Sequence, residues 1–273
     1  MSPRGRTLLR AAANERYRWS EAIHRSAVVG SRRRFLWREL RRQPGTACYR
    51  LRDSGQLVNV RHGTGDIAGL QEIFINGNYD LPAPVATALE SLAKKGPLSI
   101  VDLGANIGLF PLTAYARFGR VRVVSFEPDP DNARVLDLTR RANDREADWE
   151  LVEACAGASS RRVRFRAGLH MESRVVEDGD RDAAELQMID VFPRLTGVDW
   201  LKMDVEGGEW EILGDPRFAA LEIPVIALEY HSFGCPAPDP QAEIARVLTA
   251  AGYRIMPYEE RSPGLGELWA LRS

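Results

Sequence analysis

Four acids and a lysine crowd two short stretches of this 273-residue chain, each continuous with an apolar run. The first stretch is Val101-Asp102-Leu103-Gly104-Ala105-Asn106-Ile107-Gly108, with glycines placed where a strand must turn sharply into a helix. Gly104 and Gly108 permit that turn and a close approach of backbone to ligand, and the start of the following helix offers N–H groups without internal partners. Such a turn suits a nucleotide-like molecule. The dinucleotide fingerprint Gly-x-Gly-x-x-Gly is replaced by Asp-x-Gly-x-Asn-x-Gly and no Walker lysine is present, which argues against pyrophosphate. The next apolar run, Val123-Val124-Ser125-Phe126, ends in Glu127, 23 residues after Gly104, where a carboxylate can accept both hydroxyls of a ribose. Asp102, an acid where a phosphate site would present donors, suits a ligand with a cationic end. S-adenosylmethionine combines a ribose with an ammonium and a sulfonium.

The second stretch, Leu201-Lys202-Met203-Asp204-Val205-Glu206-Gly207-Gly208-Glu209, sets four ionisable groups within eight residues beside a turn. Packing them is costly unless they are paired or bind something. His231, Asp204 and Glu206 are equal candidates for a general base beside this turn. A divalent cation held by Asp204, Glu206 and Glu229 is the alternative way to activate a hydroxyl, although the expectation is that no metal is needed.

These residues need a frame, and from Leu98 onward strand and helix patterns alternate, the rhythm of βαβ units and a mostly parallel sheet. Strands are predicted near 99–103, 121–126, 149–153, 199–203 and 224–229, and helices near 107–118, 130–142, 208–214 and 240–251. The closing strands, 253–257 and 267–271, are separated by a loop too short for a helical crossover, so they should run antiparallel. Upstream, alternating runs around Cys48–Arg52 and Leu57–Val60 predict a small hairpin, and Asp66–Phe74 a short helix, from which a lid or platform could be built. Residues 1–42 hold twelve arginines against three glutamates, a charge of +9 that leaves −10 for the remainder. They read as one or two basic helices packed on the main domain. The expected division is a basic helical extension over 1–45, a hairpin and helix cap over 46–97, and a ligand-binding domain over 98–273.

Composition narrows the function classes. With 44% hydrophobic and 27% charged residues the chain can bury a substantial core. Cys48, Cys155 and Cys235 are far apart and lack CxxC spacing, which suggests neither a disulfide framework nor a zinc site and suits a reducing cytoplasm. No run reaches the roughly 18 apolar residues of a membrane span, and no apolar secretory signal opens the chain. A net charge of −1 disfavours nucleic acid as a partner of the whole molecule.

The two motifs, together with Phe126-Glu127-Pro128, Ala227-Leu228-Glu229-Tyr230-His231 and the upstream Gly77-Asn78-Tyr79-Asp80, resemble the FkbM family of S-adenosylmethionine-dependent methyltransferases over roughly residues 60–260. The resemblance implies a Rossmann-like class I methyltransferase fold: an α/β, seven-stranded, mostly parallel sheet of order 3-2-1-4-5-7-6 with its last strand antiparallel, flanked by helices and here preceded by a helical and hairpin extension. It implies S-adenosylmethionine as cofactor, held by Asp102, Gly104, Asn106, Gly108, Glu127 and Asp204, with His231, Asp204 and Glu206 as catalytic candidates. The implied reaction is O-methylation of a hydroxyl on a sugar or other natural product, and a homo-oligomer is compatible with it. Met171-Glu172-Ser173-Arg174 departs from the family's usual serine pair, and 177–184 reads as an acidic loop. Competing readings are an RNA or protein methyltransferase that uses the basic arm, and a non-catalytic binding module.

Overall fold

The computed structural model describes residues 19–41, 43–168, 174–176, 183–256, 259–262 and 264–273. It divides into two compact units, one ending at Asn78 and the other beginning at Tyr79. In the first unit a helix α1, described over 19–25, leads through a 3-10 turn to α2 (Arg32–Leu40). A hairpin follows, β1 (Gly45–Arg50) against β2 (Leu57–His62), and then α3 (Asp66–Phe74). Val29, Phe35, Tyr49, Val58, Val60 and Leu70 form its interior. The buried His62 is paired on both ring nitrogens, with Nδ1 2.6 Å from Glu39 and Nε2 2.7 Å from the Tyr49 hydroxyl. Asp66 accepts from the Arg61 guanidinium at 2.8 and 2.9 Å. The predicted basic helices correspond to α1 and α2 for the part that is described; 1–18 and 42 lie outside it.

The second unit opens with α4 (Ala83–Ala93), which the sequence reading did not anticipate. Its frame is a sheet of β3 (Leu98–Leu103), β4 (Val121–Phe126), β5 (Trp149–Val152), β10 (Trp200–Met203), β11 (Val225–His231), β12 (Tyr253–Ile255) and β14 (Leu265–Arg272). Their order across the sheet is β12-β14-β11-β10-β3-β4-β5, which is the expected 6-7-5-4-1-2-3. β14 runs antiparallel to both β11 and β12, and the remaining pairings are parallel. β13 (Glu259–Ser262) folds back on β14 and was not predicted. Helices α5 (Leu109–Phe118), α6 (Pro130–Ala142), α8 (Glu209–Gly214) and α10 (Pro240–Ala250) lie close to their predicted spans, with short α7 (Phe192–Leu195) and α9 (Pro216–Ala219) between them. The strands read as continuous apolar runs because both faces are covered: Ile100, Val101, Leu103, Leu201, Met203, Ile226 and Leu228 are all buried.

A second, four-stranded sheet stands between β5 and β10, in the order β6-β9-β7-β8. Its members are β6 (Cys155–Gly157), β7 (Arg161–Arg166), β8 (Arg174–Val176) and β9 (Ala184–Asp190). Of the stretches singled out there, 171–173 and 177–182 lie outside the described residues, while Arg174 opens β8 and Ala184 opens β9. No helix among the described residues is long and apolar enough to cross a membrane.

Candidate functional site

The two motifs end up side by side because β3 and β10 are neighbours in parallel register, Asp102 opposite Lys202 and Leu103 opposite Met203. Both chains turn at the carboxyl edge of the sheet, where open α/β folds bind ligands. Gly104 has φ +78°, and a Cβ built on it would lie 1.7 Å from the Asp204 carbonyl oxygen. The glycine therefore serves the contact between the two turns, which the Asp204 N–H reinforces by donating to the Leu103 carbonyl at 3.0 Å. Gly108 lies against the opposite wall, where a Cβ would meet the Trp149 ring at 2.9 Å.

Each turn also carries a non-glycine residue in the left-handed region, Asn106 at φ 51° and Glu206 at φ 54°. Such residues persist only where their surroundings hold them. The Asn106 N–H donates to Glu127 at 2.7 Å. Around Glu206, the buried Glu209 carboxylate accepts the Val205 and Gly207 N–H groups at 2.9 Å each.

Between the turns, β4 and the second sheet lies a pocket. Its polar side is made by Gly104, Asn106, Glu127, Asn132, Asp204 and Glu206, and its apolar side by Phe126, Phe165, Val175 and Met188. Glu127 is 4% exposed and accepts from the Asn106 and Asp129 N–H groups and, at 3.4 Å, from Asn132. Burial pushes its carboxyl up to about 7 against those donors. Two buried oxygens at the pocket, Asn106 Oδ1 and Asp204 Oδ1, have no hydrogen-bond partner. Native structures seldom leave such groups unpaired, and a ligand that brings donors could satisfy both.

The structure thus brings Gly104, Asn106, Glu127, Asp204 and Glu206 to one cavity. Asp102 is not among them: it is fully buried beneath the turn, with Lys202 Nζ 3.5 Å from its Oδ1. Burial raises its carboxyl to about 6, although the lysine opposes the shift. The acid expected to meet the cationic end of a ligand meets an internal cation instead. His231 closes β11 just behind Glu206, with Nε2 3.2 Å from Glu206 Oε2 and Nδ1 3.3 Å from Glu209 Oε1. Burial lowers its pKa, but the carboxylates of Glu209, Glu206 and Asp204 outweigh that and hold it above the ordinary histidine value.

The metal alternative changes membership. Among the described residues, Asp204, Glu209 and His231 converge to within 4.8 Å, whereas the trio Asp204, Glu206 and Glu229 does not. Glu229 belongs to the charges around Lys202 and Tyr79. Lys202 and Glu209 had been read only as costly charges. Each sits in the second motif, so the signal was present, but its meaning depended on which neighbour each side chain met.

Residues 102–255 match the family described as the methyltransferase FkbM domain. Among solved structures the chain is similar to the methyltransferase FkbM from Methylobacillus flagellatus KT, with 19% identity and a TM-score of 0.46 over 64% of this chain and 43% of that one. It therefore spans less than half the length of that relative. It is also similar to precorrin-6y C5,15-methyltransferase from Geobacter metallireducens GS-15 (14% identity, TM-score 0.39, 71% of this chain and 91% of that one). A third is the magnesium protoporphyrin IX methyltransferase from Synechocystis PCC 6803, with bound SAM (13% identity, TM-score 0.39, 70% and 77%). No curated protein matches the chain.

Proposed function

The chain belongs to the FkbM methyltransferase family, whose members depend on S-adenosylmethionine, and from that premise we propose that it methylates a hydroxyl on a sugar or other small natural product in the cytoplasm. The observation that carries the cofactor's place is the pair of unpartnered buried oxygens, Asn106 Oδ1 and Asp204 Oδ1, in the cavity that Glu127 also lines. The acceptor set fits: Glu127 would take the ribose hydroxyls, Asp204 and Asn106 the remaining polar donors, and the Phe126, Phe165 and Met188 wall the flat base. Gly104 and Gly108 are assigned to the turn itself, and Asp102 to support beneath it.

S-adenosylmethionine, when bound, supplies a methyl group on a positively charged sulfur. The acceptor hydroxyl must still lose its proton, and we assign its removal to the Glu206–His231 pair. Glu206 lines the pocket, and His231 Nε2 stands 3.2 Å from its carboxylate. Glu209 fixes the imidazole from its other nitrogen, while the Trp210 indole N–H donates to the His231 carbonyl at 2.7 Å. A proton accepted at Glu206 can thus be held at the imidazole, where the carboxylates stabilise it. This reading needs no metal.

The test is methyl transfer from methyl-labelled S-adenosylmethionine to a panel of glycosides and polyketide alcohols, with the labelled atom located by mass spectrometry. Label on an oxygen of one acceptor supports the assignment. Label confined to RNA or protein, or to nitrogen or carbon, overturns it.

A further inference from the structure

Lys202 is buried, and it does not line the pocket. Its Nζ donates to the Gly104 carbonyl at 2.6 Å and approaches the Leu103 carbonyl at 3.4 Å, both on the first turn. The same ammonium lies 3.5 Å from Asp102 Oδ1 beneath that turn and 3.5 Å from Asp204 Oδ2 on the second. One cation therefore touches both turns, beside the point where Gly104 and the Asp204 carbonyl leave no room for a methyl group. The other titratable groups around it are Tyr79 and Glu229, with Glu267 next to Tyr79. A buried ammonium is expensive unless several partners surround it, and a methionine would fill the same volume without that cost. The charge must serve something that an apolar stem would not.

We propose that Lys202 is a positioning residue that latches the glycine turn to the acid turn and aims the Asp204 carboxylate at the cofactor. By engaging Oδ2, the lysine leaves Oδ1 as the oxygen that is buried without a partner. Oδ1 is thereby left lacking a donor, and an ammonium is the donor that distinguishes the amino-acid end of S-adenosylmethionine from its nucleoside end. Glu127, across the pocket, keeps two partners outside the latched turns, the Asp129 N–H and the Asn132 amide. The inference rests on the reading that this pocket takes S-adenosylmethionine.

Calorimetric titration of two probes separates the roles: S-adenosylhomocysteine, which carries the amino-acid tail, and methylthioadenosine, which lacks it. They are titrated into the full chain, Lys202→Met, and the double variant Lys202→Met with Asp102→Asn. The double variant removes both buried charges together, so Asp102 is not left alone beneath the turn, and circular dichroism verifies its fold. The expected result is a loss of at least tenfold for S-adenosylhomocysteine in the folded double variant, with methylthioadenosine changed less than twofold. Wild-type affinity for S-adenosylhomocysteine in that variant overturns the latch. An equal loss for both probes also overturns it, since a merely structural lysine would weaken the whole pocket. If the wild-type chain binds neither probe, the reading of the pocket fails, and the latch with it.

Discussion

Glu127 is almost enclosed, and its charge decides how the pocket meets a diol. The ionised carboxylate accepts from both hydroxyls, whereas the protonated acid must use one oxygen as a donor. Because burial raises this carboxyl to about 7, the proposed ribose contact would set protons in competition with the cofactor as the medium becomes acidic. Affinity should be full on the alkaline side of that value and fall by up to about tenfold per pH unit on the acid side. Calorimetry at several pH values checks this, and a flat profile would contradict it. The linkage to folding has the opposite sign. A raised native pKa favours the apo fold below the ordinary carboxylate range, and that contribution is lost as pH rises through about 7. At His231 the carboxylates prevail over burial, so a neutral imidazole is reached only above the usual histidine range. The acid limb of kcat/KM should therefore lie above about 6.5. His231→Ala should cost about 10²–10⁴-fold in turnover while cofactor affinity stays nearly intact; an unimpaired variant would place the base elsewhere.

At the scale of elements, the decisive piece is the contact between the β3 and β10 turns. Gly104→Ala meets two penalties, a left-handed φ and a Cβ 1.7 Å from backbone. It should destabilise the fold by at least about 3 kcal/mol, against about 1–3 kcal/mol for Gly55→Ala, where φ is +73° but nothing lies within 4 Å. Urea midpoints of the two variants give the comparison, and equal costs would mean that the turns do not depend on this packing. The strands and helices around these turns were legible because long apolar runs end in glycines. The direction of Asp102 was not, since its partner Lys202 is 100 residues away and meets it only through strand register. The second sheet was hidden for a different reason: β7 alternates Val163 and Phe165 with arginines, and β9 keeps only Leu186 and Met188 facing its small core. Helix α4 carries its own marker, Pro84 in the first turn ahead of buried Val85 and Leu89.

Across the whole molecule, charge is divided between a +9 segment over 1–42 and a remainder of −10. The residues proposed to hold the cofactor all lie in the second unit, whereas Arg33, Arg34 and Arg41 are exposed on or beside α2 in the first. Replacing Arg33 and Arg41 with glutamine should leave cofactor affinity within about twofold, because both are exposed and belong to the unit that supplies no pocket residue. A larger loss would make the basic arm part of the site. An arm that instead served RNA would show itself as RNA binding that weakens steeply with salt. The central claim, that S-adenosylmethionine occupies the pocket with its ribose on Glu127, is tested most directly by calorimetric titration of S-adenosylhomocysteine into the full chain and its Glu127→Ala variant. The account predicts saturable one-to-one binding, weakened in the variant by about 2–4 kcal/mol through loss of two charge-assisted hydrogen bonds. No binding to the wild-type chain, or equal affinity in a folded variant, would contradict it.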